Sequence, residues 1–192
     1  VVTNKEAKGK KGTIVAIVVG TKSETVINHL QRISSYKRNQ VIEITLDMAN
    51  SMKLIARKVF PKAKQVTDRF HVQKLALEAV QEIRIKLKWE ALDRENEAIT
   101  QAKLNKTKFI TTDFSNGDTA KQLLTRSRFL LYKSQYKWSE NQKERAVILF
   151  KEYPELKEAY LLSQQLRNIY NNNTDKAIAI TKLAHWYNNV EN

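Results

Sequence analysis

Three residues have the types and spacing to do chemistry: Asp47, Asp68 and His71. Asp47 follows the apolar run Val41-Ile42-Glu43-Ile44-Thr45-Leu46, in which Ile42, Ile44 and Leu46 recur at period two. That alternation predicts a strand with at least one buried face. The end of a strand in a parallel sheet is where side chains usually meet a ligand. Asp68 opens Asp68-Arg69-Phe70-His71, directly after a second short strand expected over residues 64–67. A zinc site is disfavoured, because three scattered His and no Cys give no ligand spacing. Each residue also has a structural reading. Asp47 could be an Asp at a helix entry, and His71 an ordinary, partly buried histidine.

The elements that must position these residues follow from the pattern around them. Between the two strands, Met52, Ile55, Ala56 and Val59 fall at helical spacing, with Asn50 or Ser51 as the expected N-cap and Pro61 as the stop. Upstream, residues 1–4 and the β-branched run TIVAIVV over residues 13–19 predict a hairpin, the second strand well buried. Gly9-Lys10-Lys11-Gly12 lacks phosphate-loop spacing and precedes a strand, so it is expected to be a solvated hairpin tip. Thr21 and Ser23 are candidate caps for a helix carrying Val26, Ile27, Leu30 and Ile33, with His29 among them as an ordinary helix residue. The first seventy residues are thus expected to run β-β-α-β-α-β, an α/β layer with a mixed sheet.

Beyond His71 the pattern is helical. A long helix is expected over residues 72–102, with Leu75, Ala76, Ala79, Val80, Ile83 and Leu87 inward and Arg84, Lys86 and Lys88 outward. A polar connection with the turn signal Asn116-Gly117-Asp118 leads to a helix over residues 121–132 bearing Arg126 and Arg128. Ser139 and Gln142 form a capping box for a helix reaching Tyr153, Pro154 opens the next to about Tyr170, and Thr174 or Asp175 caps a last one after three asparagines. Trp89, Trp138 and Trp186 could stack on bases; their helical surroundings favour packing instead. The domain boundary is expected near residue 75, giving an α/β part over 1–75 and an all-helical part over 76–192.

Composition bounds the function. With 42% apolar residues and few Gly and Pro, the chain can build a core. The absence of Cys excludes disulfides and suits a cytosolic origin. No apolar run approaches the ~18 residues of a membrane span, and no signal-peptide pattern is present. A net charge of +14 points to an anionic partner, with nucleic acid ahead of a membrane surface.

The stretch LDMANSMKLIARKVFPKAKQVTDRFHVQKLALEAVQEIR resembles the catalytic-domain signature of bacterial insertion-sequence transposases of the DDE class, the ISL-type family in particular. Pro61, Ala63, Asp68, Phe70, His71 and Arg84 stand in matching places. The resemblance is dense over residues 13–89 and looser in the helical remainder. It implies a ribonuclease-H-like fold, its mixed sheet truncated here, interrupted by an all-helical insertion. It implies a bacterial, cytoplasmic enzyme that cuts and joins DNA at insertion-sequence ends, as a homo-oligomer and with no small-molecule substrate. In that chemistry three carboxylates hold two Mg²⁺ or Mn²⁺ ions. By resemblance Asp47 is the second carboxylate and a metal ligand, and Asp68 with His71 is an accessory D-x-x-H motif. Arg69, Arg84, Lys86, Lys88, Arg126 and Arg128 are candidate DNA contacts. The chain starts at Val1, so it is expected to be an excised fragment. The first and third carboxylates are expected outside it, leaving it inactive and without bound metal. Glu155, Glu158 and Glu191 look like ordinary helix-surface acids. Two other readings compete: a non-catalytic basic helical module that binds nucleic acid, and a ribonuclease-H-like nuclease such as a junction resolvase.

Overall fold

A computed structural model describes residues 1–191. The chain divides into two compact units, Val1–Val72 and Gln73–Asn192, the division falling inside one helix. No helix among the described residues is long and apolar enough to cross a membrane.

The first unit holds all the strands of the described residues. Strand β1 (Val2–Thr3) pairs antiparallel with β2 (Ile14–Ala16), and Asn4 N–H donates to the Thr13 carbonyl at 2.7 Å to close the hairpin. The tip turns through Gly9 and Gly12 at φ +78 and +91, values that an L side chain resists. Helix α1 (Ser23–Leu30) and the short α2 (Ser35–Arg38) lead to β3 (Glu43–Leu46). Helix α3 (Asn50–Val59) then crosses over to β4 (Lys64–Thr67), which pairs parallel with β3. Parallel pairing requires such a crossover. Leu30 of α1 and Ile55 and Val59 of α3 form the core, and Val2 and Ala16 of the hairpin pack on it. Arg38 fastens this layer, its Nε donating to the Ile33 carbonyl at 2.9 Å and its guanidinium to the Val59 carbonyl at 2.6 Å.

Three expectations are corrected here. The strands form two separate two-stranded sheets, not one mixed sheet. The run over residues 13–19 contributes only three residues to a strand, and Ile14, Val15, Ile17 and Val19 are exposed, because neither a further strand nor a second layer covers them among the described residues. Helix α1 starts after Lys22 and α3 after Ala49, neither with a side-chain cap, so Thr21, Ser23, Asn50 and Ser51 do not serve as caps.

The second unit is helical: α4 (Arg69–Leu104, most of it here), α5 (Ala120–Arg126), α6 (Arg128–Leu131), a 3-10 turn (Gln135–Lys137), α7 (Glu140–Glu152), α8 (Pro154–Asn172) and α9 (Lys176–Glu191). The helix expected over 121–132 is split at buried Ser127, whose hydroxyl donates back to the Leu123 carbonyl at 2.6 Å. A capping box unforeseen in the sequence, Thr119 with Gln122, opens α5; the capping box at Ser139 lies where expected, and Asp175, one of the two expected caps of α9, accepts the Ile178 N–H at 3.0 Å. The core gathers Val80, Leu87, Leu123, Leu130, Leu149 and Tyr160. Trp138 packs against Tyr160 at 5.5 Å and donates its indole N–H to the Leu130 carbonyl at 2.8 Å; Trp186 donates to Leu162 at 2.8 Å. Trp89 departs from the packing expectation, at 56% exposed.

Asp118 is the one fully buried carboxylate among the described residues. It accepts hydrogen bonds from Arg126, from Arg145 Nε at 3.0 Å and from Asn116 Nδ2 at 3.0 Å. Burial alone pushes its pKa up; the hydrogen bonds and charges of Arg145 and Arg126 outweigh that and bring the carboxyl below its ordinary 3.8. The folded-state pKa is the lower one. Its stabilisation is therefore complete above the ordinary carboxylate range and fades as pH falls through 3.8 towards the folded value. Asp118→Ala should destabilise the protein by about 2–4 kcal/mol in urea unfolding at neutral pH, and the difference from wild type should shrink on acidification below about pH 4.

Candidate functional site

Sheet register builds the site. All four residues of β3 and β4 pair in step, Leu46 opposite Thr67 being the last pair. The Asp68 N–H donates to the Leu46 carbonyl at 2.7 Å, so Asp47 and Asp68 are the next residues on adjacent parallel strands, at their carboxyl ends. Each carboxylate is braced by a short local bond. Asp47 Oδ1 accepts the Ala49 N–H at 2.9 Å at the entry to α3, and Asp68 Oδ1 accepts the Phe70 N–H at 3.0 Å at the entry to α4. These are the Asx contacts by which an Asp satisfies a helix start. The structural and the chemical readings therefore coexist, since each carboxylate keeps its second oxygen for another partner.

Asp68 Oδ2 lies 4.0 Å from His71 Nε2, one helical turn further on, and the His71 ring meets that of Phe70 edge-on at 5.6 Å. His71 is partly exposed, as is Asp68. The D-x-x-H spacing thus brings its two ends together. No cluster of three or more His, Asp or Glu able to hold a metal occurs among the described residues. Asp47 offers carboxylate oxygen, the donor type a hard divalent ion takes, and with no third ligand among the described residues gathered beside it and Asp68 it is only part of a metal site.

A family model of the ISL3-type DDE transposases, described as "Transposase", matches residues 1–192. The chain belongs to this transposase family. No curated protein and no solved structure matches it. Asp47, Asp68 and His71 of this transposase chain all fall in the first unit, on the parallel strand pair and the helix starts beside it.

The basic residues named from sequence separate into different environments. Arg84 is corrected: it is buried at 6% exposure, not outward. Its Nε donates to Gln81 Oε1 at 2.8 Å and its guanidinium to the Leu124 carbonyl at 3.0 Å, joining α4 to α5. Burial, then repulsion from Arg128, lowers its pKa from the ordinary value, with Tyr132 opposing. A phosphate contact would require breaking both bonds, so Arg84 is a core tie in this structure. Lys86 is exposed, 3.9 Å from Glu90; Lys88 stands 6.0 Å from the Trp89 ring; Arg126 is engaged with Asp118; Arg128 lies 5.6 Å from the exposed Phe129 ring. Arg69 is exposed at the start of α4. Sequence reading passed over Lys143, Lys151 and Lys157, which line one groove of the transposase's helical unit. These lysines are spread over two helices among acidic residues such as Glu144, Glu152 and Glu155, and no run in the sequence marks them.

Arg84→Ala should cost about 2–4 kcal/mol, because it orphans Gln81 and the Leu124 carbonyl in the core. Lys86→Ala should change stability by less than about 0.5 kcal/mol. Denaturant unfolding of the two variants checks the contrast.

Proposed function

We propose that this chain is part of a DNA transposase in which Asp47 is one of the carboxylates holding a divalent metal at the site of strand cleavage and joining. The observation that carries the reading is the in-register parallel pairing of β3 and β4, with Asp47 and Asp68 side by side at the strand ends, in a chain of a transposase family. The ion would be Mg²⁺ or Mn²⁺, supplying Lewis-acid stabilisation of charge on a phosphoryl oxygen. Asp47 would hold it through the oxygen not engaged by Ala49. Asp68, through its free oxygen, orients His71, and the pair orders the mouth of the site next to the backbone of the DNA. A ribonuclease-H-like core with a helical insertion is part of the same reading, supported by an α/β first unit followed by a helical second one.

The described residues bring no group of three metal-ligating side chains together around Asp47, so the ligand set is incomplete and this chain alone should not nick DNA. Incubation of the 192-residue chain with supercoiled plasmid and Mg²⁺ should leave the plasmid closed; metal-dependent nicking would refute the incomplete-set argument. The decisive test uses the complete reading frame with its element ends on a donor plasmid. Asp47→Asn keeps the shape of the side chain and removes the charge that holds the ion. It should lower excision by about a thousandfold, on the order of 4 kcal/mol at the transition state, in a protein that still folds and binds DNA. Wild-type excision by Asp47→Asn would leave a basic nucleic-acid-binding module as the better account. For Asp68→Asn, a partial loss is expected if the D-x-x-H pair orders the site.

A further inference from the structure

We propose that the helical unit carries a binding surface for a nucleic-acid strand with unpaired bases, formed by the segment from Arg128 to Trp138 and the adjoining groove of α7 and α8. The inference rests on the DNA-processing reading above and adds to it a place and a strand type.

The groove has an apolar floor that includes Trp138, Ala146, Val147 and Phe150. Lys143, Lys151 and Lys157 line it, Lys143 being paired with the exposed Glu140 at 2.7 Å, and no acidic side chain lines it. Gln135 brings the 3-10 turn to its edge. In that turn Tyr136 is 81% exposed with Lys137 Nζ 5.6 Å from its ring, and Phe129 of α6, seven residues earlier in the chain, is 66% exposed with Arg128 at 5.6 Å. An exposed ring is unremarkable by itself; what these two add is a cation held beside each. Here each carries its own cation, and a ring beside a cation is the unit that takes a base face and its phosphate together.

The segment is also held from behind. The Leu130, Tyr132 and Lys133 carbonyls accept hydrogen bonds from Trp138 Nε1 at 2.8 Å, Arg167 at 3.0 Å and Tyr160 Oη at 2.9 Å. The backbone that carries these rings and cations is therefore held before a ligand arrives, which lowers part of the ordering cost of binding. A duplex keeps its base faces stacked on one another and could use only the lysines. Unpaired bases can use the rings as well, and that difference selects the strand over the duplex.

The 192-residue chain should be titrated into fluorescein-labelled oligothymidylate of about 15 nucleotides, a span typical of a stacking surface. EDTA in the buffer keeps metal chemistry out of the readout. Lys151→Ala with Lys157→Ala should weaken binding about tenfold, and Tyr136→Ala and Phe129→Ala about fivefold or more each, with Tyr136→Phe close to wild type. A control removing the same charge from the hairpin tip, Lys10→Ala with Lys11→Ala, should change binding less than about twofold. Circular dichroism and thermal unfolding confirm that each variant is folded. Equal losses from the tip and groove variants, unchanged binding by folded Tyr136→Ala, tighter binding of a duplex than of the strand, or equal competition by polyglutamate would each overturn the proposal. Because excision by Asp47→Asn is read separately, failure here leaves the metal-site reading standing, and failure there leaves this surface standing.

Discussion

The parallel pairing of β3 with β4 is the constraint on which the candidate site depends. A parallel ladder cannot be made by a tight turn, so the chain must leave β3, run back as α3 and re-enter at β4. The core contacts of Ile55 and Val59 fix where α3 lies, and Arg38 holds the carbonyl at its end. With the crossover fixed, register follows, and a slip of one residue would turn Asp68 to the opposite face from Asp47. The two carboxylates owe their adjacency to apolar packing one layer away.

The helical unit solves a different problem, burying charge without leaving it unpaired. Asp118 and Arg84 both sit where apolar side chains would be the simpler choice, and each is surrounded by partners that satisfy it. Breaking such arrangements is costly even where their net contribution is small. They tie α4 to α5, and the loop before α5 to α5 and α7, through hydrogen bonds that depend on direction as apolar contacts do not.

Much of this was legible in the sequence. Period-two alternation placed β3 through Ile44 and Leu46, although Ile42 of the same set lies outside the strand and is exposed; the spacing of Ile55, Ala56 and Val59 placed α3, and Asp68 fell at its strand end as expected. The long helix was legible in extent, and its buried face was not. The inward seam runs through Val80, Arg84, Leu87 and Ala91, while Leu75 and Ala79 face out. A pattern read by polarity cannot place an arginine in a core, because its acceptors, Gln81 and the Leu124 carbonyl, are respectively one turn away and on another helix. The same limit hid the break at Ser127, whose cause is a single hydroxyl bonding back into its own helix. The hairpin was misjudged for the opposite reason: an apolar, β-branched run states a preference for burial, and burial needs a neighbour to supply it.

That bare run has a consequence for how the protein behaves in solution. Ile14, Val15, Ile17 and Val19 are exposed in a stretch free of charge and proline, the composition from which cross-chain strand pairing grows. What holds molecules apart is mutual repulsion from a net charge of +14. Repulsion of that kind is screened within about 8 Å at physiological ionic strength, so the chain should keep longest in dilute salt and cloud as salt is added.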